Sequence, residues 1–108
     1  MSISVVSIGS VADHIGFPEN AAYAASKFGL LGFMQSLAEE VRPDGIKVST
    51  ILPGSIATGF AGKTADDVAA GKAQGRRYLE PEDVAAAVVY LLKQPARAWT
   101  QEMNLWPF

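Results

Sequence analysis

Short β-branched runs alternate along the chain with longer segments whose apolar residues recur at helical spacing. The run Ile3–Ile8 is almost continuously apolar, which predicts a strand buried on both faces, as in parallel sheets. A second such strand is predicted over Ile46–Leu52, and a third over Glu102–Trp106. Because long crossovers separate the runs, we expect parallel strands joined by right-handed connections.

Two of the intervening segments predict helices. The first begins near Asn20, a potential N-cap, continues to about Val41 and ends at the turn Pro43-Asp44-Gly45. Its apolar stripe consists of Leu30, Leu31, Met34, Leu37, Ala38 and Val41. The second helix begins at Pro81 and ends before Pro95. Its apolar face is predicted to hold Val84, Ala87, Val88, Leu91 and Leu92.

Glycine and proline divide the rest of the chain into loops. Residues 9–19 predict a loop after the first strand, and residues 58–78 a longer one with a weak helix near Ala65–Ala70. The fold class is therefore α/β, with about three parallel strands in a single unit over residues 1–108.

Composition and charge narrow the possible functions. A net charge of −2 with no basic tract argues against nucleic-acid binding. No apolar run reaches the length of a membrane span, and the N-terminus lacks the features of a signal peptide. With no cysteine and His14 as the only imidazole, we expect neither disulfides nor a metal site, and a cytoplasmic setting.

Candidate chemistry lies on the first predicted helix and at the end of the first strand. Tyr23 and Lys27 are four residues apart, so their side chains share a helix face. An ammonium beside a phenol favours the phenolate, which a tyrosine needs in order to exchange protons near neutral pH. Ser10 ends the first strand, where ligands bind in open α/β sheets, and its hydroxyl can hold a substrate oxygen.

These residues, taken in order, resemble the short-chain dehydrogenase/reductase (SDR) family. That family shares a catalytic serine, a Tyr-x-x-x-Lys motif and a Pro-Gly turn, and this chain has Ser10, Tyr23-Ala-Ala-Ser-Lys27 and Pro53-Gly54. The residues Arg42-Pro-Asp-Gly-Ile-Lys-Val48 before the second strand agree as well. The resemblance covers essentially the whole chain.

The resemblance implies a role for each of these residues in an NAD- or NADP-dependent oxidoreductase acting on a carbonyl/alcohol pair. Tyr23 would be the general acid/base, Ser10 would hydrogen-bond the substrate oxygen, and Lys27 would assist the tyrosine and hold the nicotinamide ribose. The turn against the nicotinamide would be formed by Pro53, Gly54, Ile56 and Thr58. The 59–78 loop would be the substrate lid, and His14 and Phe17 would border the substrate pocket.

The family's glycine-rich pyrophosphate turn has no counterpart, which implies a partial Rossmann-like sheet without the N-terminal cofactor-binding half. Three hypotheses follow. The chain is the catalytic C-terminal portion of an oxidoreductase, or an inactive truncated relative that serves as an interaction or oligomerisation module, or an incomplete gene product. For the chain alone we expect poor dinucleotide binding and homo-oligomerisation or other association through the edge of strand Ile3–Ile8 and the first helix.

Overall fold

The computed structural model describes residues 3–9, 18–57 and 64–108. Its strands form one parallel sheet in the order β1-β2-β3, which confirms the predicted α/β class. The elements are β1 (Ile3–Ile8), α1 (Ala21–Val41), a 3-10 turn (Arg42–Asp44), β2 (Ile46–Pro53), α2 (Ala65–Ala73), α3 (Pro81–Leu92) and β3 (Glu102–Leu105).

The helix ends follow local chemistry, with one exception. Asn20 is at the N-cap of α1, but its side chain donates to the Pro18 carbonyl (2.9 Å) instead of capping the helix. Thr64 and Asp67 form a capping box at the start of α2, which extends to Ala73, three residues beyond the predicted weak helix. Gly45 adopts a left-handed conformation (φ 75°) after the 3-10 turn, a conformation that glycine permits without strain.

A helix packs on each face of the sheet. On one face, α1 packs on alternate residues of β2, and this cluster includes Met34, Ala38 and Val48. On the other face, α3 packs on Ile51 through Ala87 and Leu91. The most deeply buried side chains are Ile51 and Leu52, consecutive residues of the central strand that face opposite layers. The sheet therefore has a two-sided core centred on β2.

The predicted burial of β1 on both faces is wrong. Ile3 and Val5 are 56% and 41% exposed, because α1 packs over β2 and not over β1. Ile8, which lies beside Ile51 on the opposite face of the sheet, is 44% exposed. Leu92 is also exposed, at 56%, although it was predicted on the buried face of α3. The third strand ends at Leu105, one residue before the prediction, and Trp106 is exposed.

The connection between α3 and β3 is held against β2 by side-chain hydrogen bonds. The Lys47 ammonium donates to the carbonyls of Pro95 (2.8 Å) and Ala98, and Ser49 Oγ donates to the Thr100 carbonyl (2.6 Å). The Trp99 indole N–H donates to the Val48 carbonyl (3.0 Å) and its ring packs beside α1. These bonds fix the approach of the chain to β3.

Candidate functional site

Tyr23 and Lys27 lie one turn apart near the start of α1, both half-buried. The Lys27 ammonium is 5.7 Å from the centroid of the Tyr23 ring, so the predicted proximity of cation and phenol is present. Ser26 Oγ donates to the Tyr23 carbonyl (2.7 Å), a local bond that leaves the phenol hydroxyl uninvolved. The helix thus presents a proton donor and an adjacent positive charge.

The packing of α1 on β2 brings this pair level with the Pro-Gly turn. Met34 and Val48 share a buried cluster. Tyr23 precedes Met34 by about 16 Å of helix. Pro53 lies about 17 Å beyond Val48 along β2, which runs in the direction opposite to α1. Tyr23 and Pro53 therefore reach the same end of the molecule, at the carboxyl edge of the sheet, where open α/β sheets bind ligands.

The Pro53-Gly54 turn is fixed by distant parts of the chain. The Gly54 N–H donates to the Leu105 carbonyl (2.8 Å), and a Cβ on Gly54 would lie 3.1 Å from Pro107 Cδ and 3.2 Å from Trp106 Cε3. Glycine at this position therefore allows the C-terminal residues to pack over the turn.

The half-buried Ile56 forms a parallel bridge with Leu79, made by two backbone bonds: Leu79 N–H to Ser55 O (2.7 Å) and Ala57 N–H to Leu79 O (2.8 Å). Both ends of the segment predicted to be the substrate lid therefore meet beside the Pro-Gly turn. The sequence predicts the turn but not its contacts with Leu79, Trp106 and Pro107, because no local pattern marks contacts between residues this far apart in the chain.

Four of the predicted site residues, Ser10, His14, Phe17 and Thr58, lie outside the described residues. Among the residues that are described, no group of three or more histidine, cysteine or carboxylate side chains is arranged to hold a metal ion. None of the described helices combines the length and apolar character that crossing a bilayer requires.

Comparison with known proteins assigns the family. A family model described as enoyl-(acyl carrier protein) reductase matches residues 2–104. The structure of a metagenomic short-chain oxidoreductase in complex with NADP superposes with a TM-score of 0.70 at 30% identity, covering 97% of this chain and 38% of that one. The chain belongs to the SDR family.

This chain also matches only part of the length of other SDR proteins. Carbonyl reductase family member 4 of Xenopus laevis is 40% identical over 92 residues, which are 85% of this chain and 39% of the relative. A 4-hydroxyisoleucine dehydrogenase complexed with NADH superposes with a TM-score of 0.77 at 28% identity, over 96% of this chain and 44% of that one. This chain therefore spans about two fifths of the length of these SDR proteins, and the partial Rossmann-like architecture agrees with theirs.

Proposed function

We propose that this chain is the catalytic C-terminal portion of an NAD(P)-dependent SDR enzyme that interconverts a carbonyl compound and an alcohol. The observation that carries the proposal is the Tyr23–Lys27 pair near the start of α1, with the ammonium 5.7 Å from the centroid of the phenol ring. Family membership supports the reaction class, since the matched relatives include proteins described as reductases and dehydrogenases. A cytoplasmic setting remains part of the proposal.

Each residue of the site has a distinct task in this mechanism. The Tyr23 hydroxyl donates its proton to the carbonyl oxygen during reduction and accepts the alcohol proton during oxidation. The Lys27 ammonium lies beside the phenol ring and donates hydrogen bonds to the ribose hydroxyls. Ser10 donates to the substrate oxygen beside the phenol. Hydride exchange with the reacting carbon is the chemistry that NAD(P) supplies when bound.

The described residues fit the nicotinamide end of the cofactor. Lys27 supplies a cation for the ribose, and the Pro53-Gly54 turn with Ile56 supplies a surface for the nicotinamide ring. Thr58, predicted to continue that surface, lies outside the described residues. The pyrophosphate fits less well. The first turns of α2 and α3 carry Asp66 and Asp67, and Glu82 and Asp83, and these carboxylates would repel phosphate from those helix N-termini. Because the family's glycine-rich pyrophosphate turn also has no counterpart in residues 1–108, we propose that the pyrophosphate binds a part of the enzyme beyond them.

The proposal is tested by joining this chain to the remainder of a relative. Residues 1–108 replace the matching segment of the Xenopus laevis carbonyl reductase, and consumption of NADPH and NADH is followed with a panel of ketones. We expect carbonyl-dependent turnover. Tyr23→Phe should lower kcat by about 100-fold or more, because it removes the proton donor, with cofactor affinity nearly unchanged.

Tyr90→Phe is the matched control, since Tyr90 is 57% exposed on α3, away from the sheet's carboxyl edge. It makes the same chemical change and should leave kcat unaltered. A folded chimera that binds cofactor but reduces no ketone would refute the substrate class. Near-normal turnover by Tyr23→Phe would refute the mechanism.

A further inference from the structure

The Pro53-Gly54 turn is held by two later parts of the chain. The Gly54 N–H donates to the Leu105 carbonyl (2.8 Å), and the Ser55 carbonyl accepts from the Leu79 N–H (2.7 Å). Both anchors are fixed by the core, since Leu79 is buried and Leu105 packs against the cluster beneath α3. The path of the turn therefore depends on where these two later segments lie.

Trp106 follows this anchor and lies on the side of the sheet that carries α1. Side chains alternate along β3: Glu102 accepts a hydrogen bond from Gln35 of α1, whereas Leu105 packs on the α3 side. The next residue is thus directed back toward the α1 side. The contact with Gly54 agrees, because a Cβ there would lie 3.2 Å from Trp106 Cε3. The indole therefore covers Gly54 on the side of the sheet where the candidate site lies.

The indole is held by rigid neighbours. Leu105 before it is anchored in the core, and Pro107 after it restricts the backbone of Trp106 to extended conformations. The proline ring also packs on Gly54, since the same Cβ would lie 3.1 Å from Pro107 Cδ. Two rings with little freedom to move therefore lie against the turn.

These two rings account for the glycine at position 54. Both carbon distances are shorter than the roughly 3.5–4.0 Å at which carbon atoms attract most strongly, so a side chain there would push the rings away. Close approach of a ligand is another common reason for a glycine, but the space that a Cβ would take is already filled by protein. A nicotinamide ring against this turn must therefore approach from another direction.

We infer that Trp106 is a positioning residue of the proposed reaction. By packing on Gly54 it holds the Pro53-Gly54 turn, and through the turn the nicotinamide, where hydride transfer requires it. The inference rests on the proposed function, since it needs the turn to contact the nicotinamide. A misplacement of about 1 Å can cost about 100-fold in rate, so even a small displacement of the turn has a measurable effect.

The first test measures amide exchange in the 108-residue chain. Trp106→Ala should speed exchange of the Gly54 amide by about tenfold or more, because the turn opens locally without its cover. The internal reference is the Thr50 N–H, which donates to the Gln101 carbonyl (2.9 Å) at the other end of the β2–β3 pairing and should exchange as before. The ratio of the two rates separates the turn from the stability of the whole chain.

Two further variants complete this measurement. Trp106→Phe keeps an aromatic ring beside Gly54 and should retain most of the protection. Phe108→Ala is the matched control, because it removes an aromatic side chain that is fully exposed two residues later, and it should change neither amide. Trp106 is itself 57% exposed, so we expect its removal to leave the chain folded, which circular dichroism verifies.

The second test uses the chimera with the carbonyl reductase. Trp106→Ala should lower kcat by about tenfold or more while the dissociation constant of the cofactor changes by less than about threefold, because the nicotinamide is misplaced but the rest of the cofactor stays bound. Trp106→Phe should restore most of kcat, and Phe108→Ala should leave it unchanged.

Several results would overturn the inference while the proposed function stands. These are equal exchange at Gly54 in the wild type and in Trp106→Ala, an equal acceleration at Thr50, or faster exchange at Gly54 with an unchanged kcat. Weaker cofactor binding with an unchanged kcat would do the same. A folded chimera without ketone-dependent turnover would instead refute the proposed function, and exchange at Gly54 would still decide whether Trp106 holds the turn.

Discussion

Replacing Lys47 with methionine should destabilise the fold without touching the candidate site. Lys47 is half-buried on β2, and its ammonium donates to the carbonyls of Pro95 and Ala98 in the connection from α3 to β3. Methionine keeps most of the aliphatic chain and removes both bonds. The same connection carries Trp99, which packs in the cluster between α1 and the sheet.

The expected cost follows from the surroundings of the two carbonyls. Removing a hydrogen bond from a charged donor costs about 1.5–3 kcal/mol of stability when the acceptor is left unsatisfied. The bond to Pro95 is exposed, so water can replace it, whereas the bond to Ala98 is partly buried. We therefore expect a loss of about 2–3 kcal/mol from a total stability of about 5–15 kcal/mol. This corresponds to a fall in Tm of roughly 10–20 °C for a domain of this size.

The measurement is urea and thermal unfolding followed by tryptophan fluorescence, at one protein concentration because association would shift the apparent stability. Lys93→Met is the matched control, since Lys93 is exposed at the end of α3, and it should cost about 0.5 kcal/mol or less. A Lys47→Met protein within that same margin of the wild type would refute the importance of these two bonds.

Three further predictions concern the core and the site. Leu52→Ala should cost about 2–5 kcal/mol in urea unfolding, because Leu52 is fully buried, whereas Leu92→Ala, at an exposed position, should be nearly neutral. In the chimera, Lys27→Ala should lower both kcat and cofactor affinity, since Lys27 is proposed to assist the phenol and to bind the ribose. A loss of kcat with unchanged cofactor affinity, measured by rates and titration, would contradict the ribose contact. For the chain alone, NADH or NADPH titrated against the fluorescence of Trp99 and Trp106 should give no saturable micromolar binding, and such binding would contradict the assignment of the pyrophosphate site elsewhere.

Periodicity predicted most of the fold because each element carries its own signal. The β-branched run Ile3–Ile8 and the proline at position 81 gave element bounds that the structure confirms. Burial was harder to predict, because a continuous apolar strand does not reveal whether a second layer covers it. Val5 is apolar and yet 41% exposed, since the helix that follows it packs over the neighbouring strand instead.

The candidate site was predicted as a set of residue types, and the structure adds the arrangement of those it describes. The spacing of Tyr23 and Lys27 follows from helix geometry alone, so their proximity could be predicted. The contact of Gly54 with Trp106 joins residues that only the folded sheet brings together, and no local pattern predicts it. Catalytic roles for these residues remain predictions.

The bridge between Ile56 and Leu79 allows the segment between them to be replaced by a different one. Because both of its ends are hydrogen-bonded to each other beside β2, the sheet does not depend on the length of chain that joins them. Adding ten residues there would cost only about 0.3 kcal/mol in loop-closure entropy. Segments of other lengths and sequences can therefore be grafted between positions 58 and 78 with the strands and the Tyr23–Lys27 pair left in place.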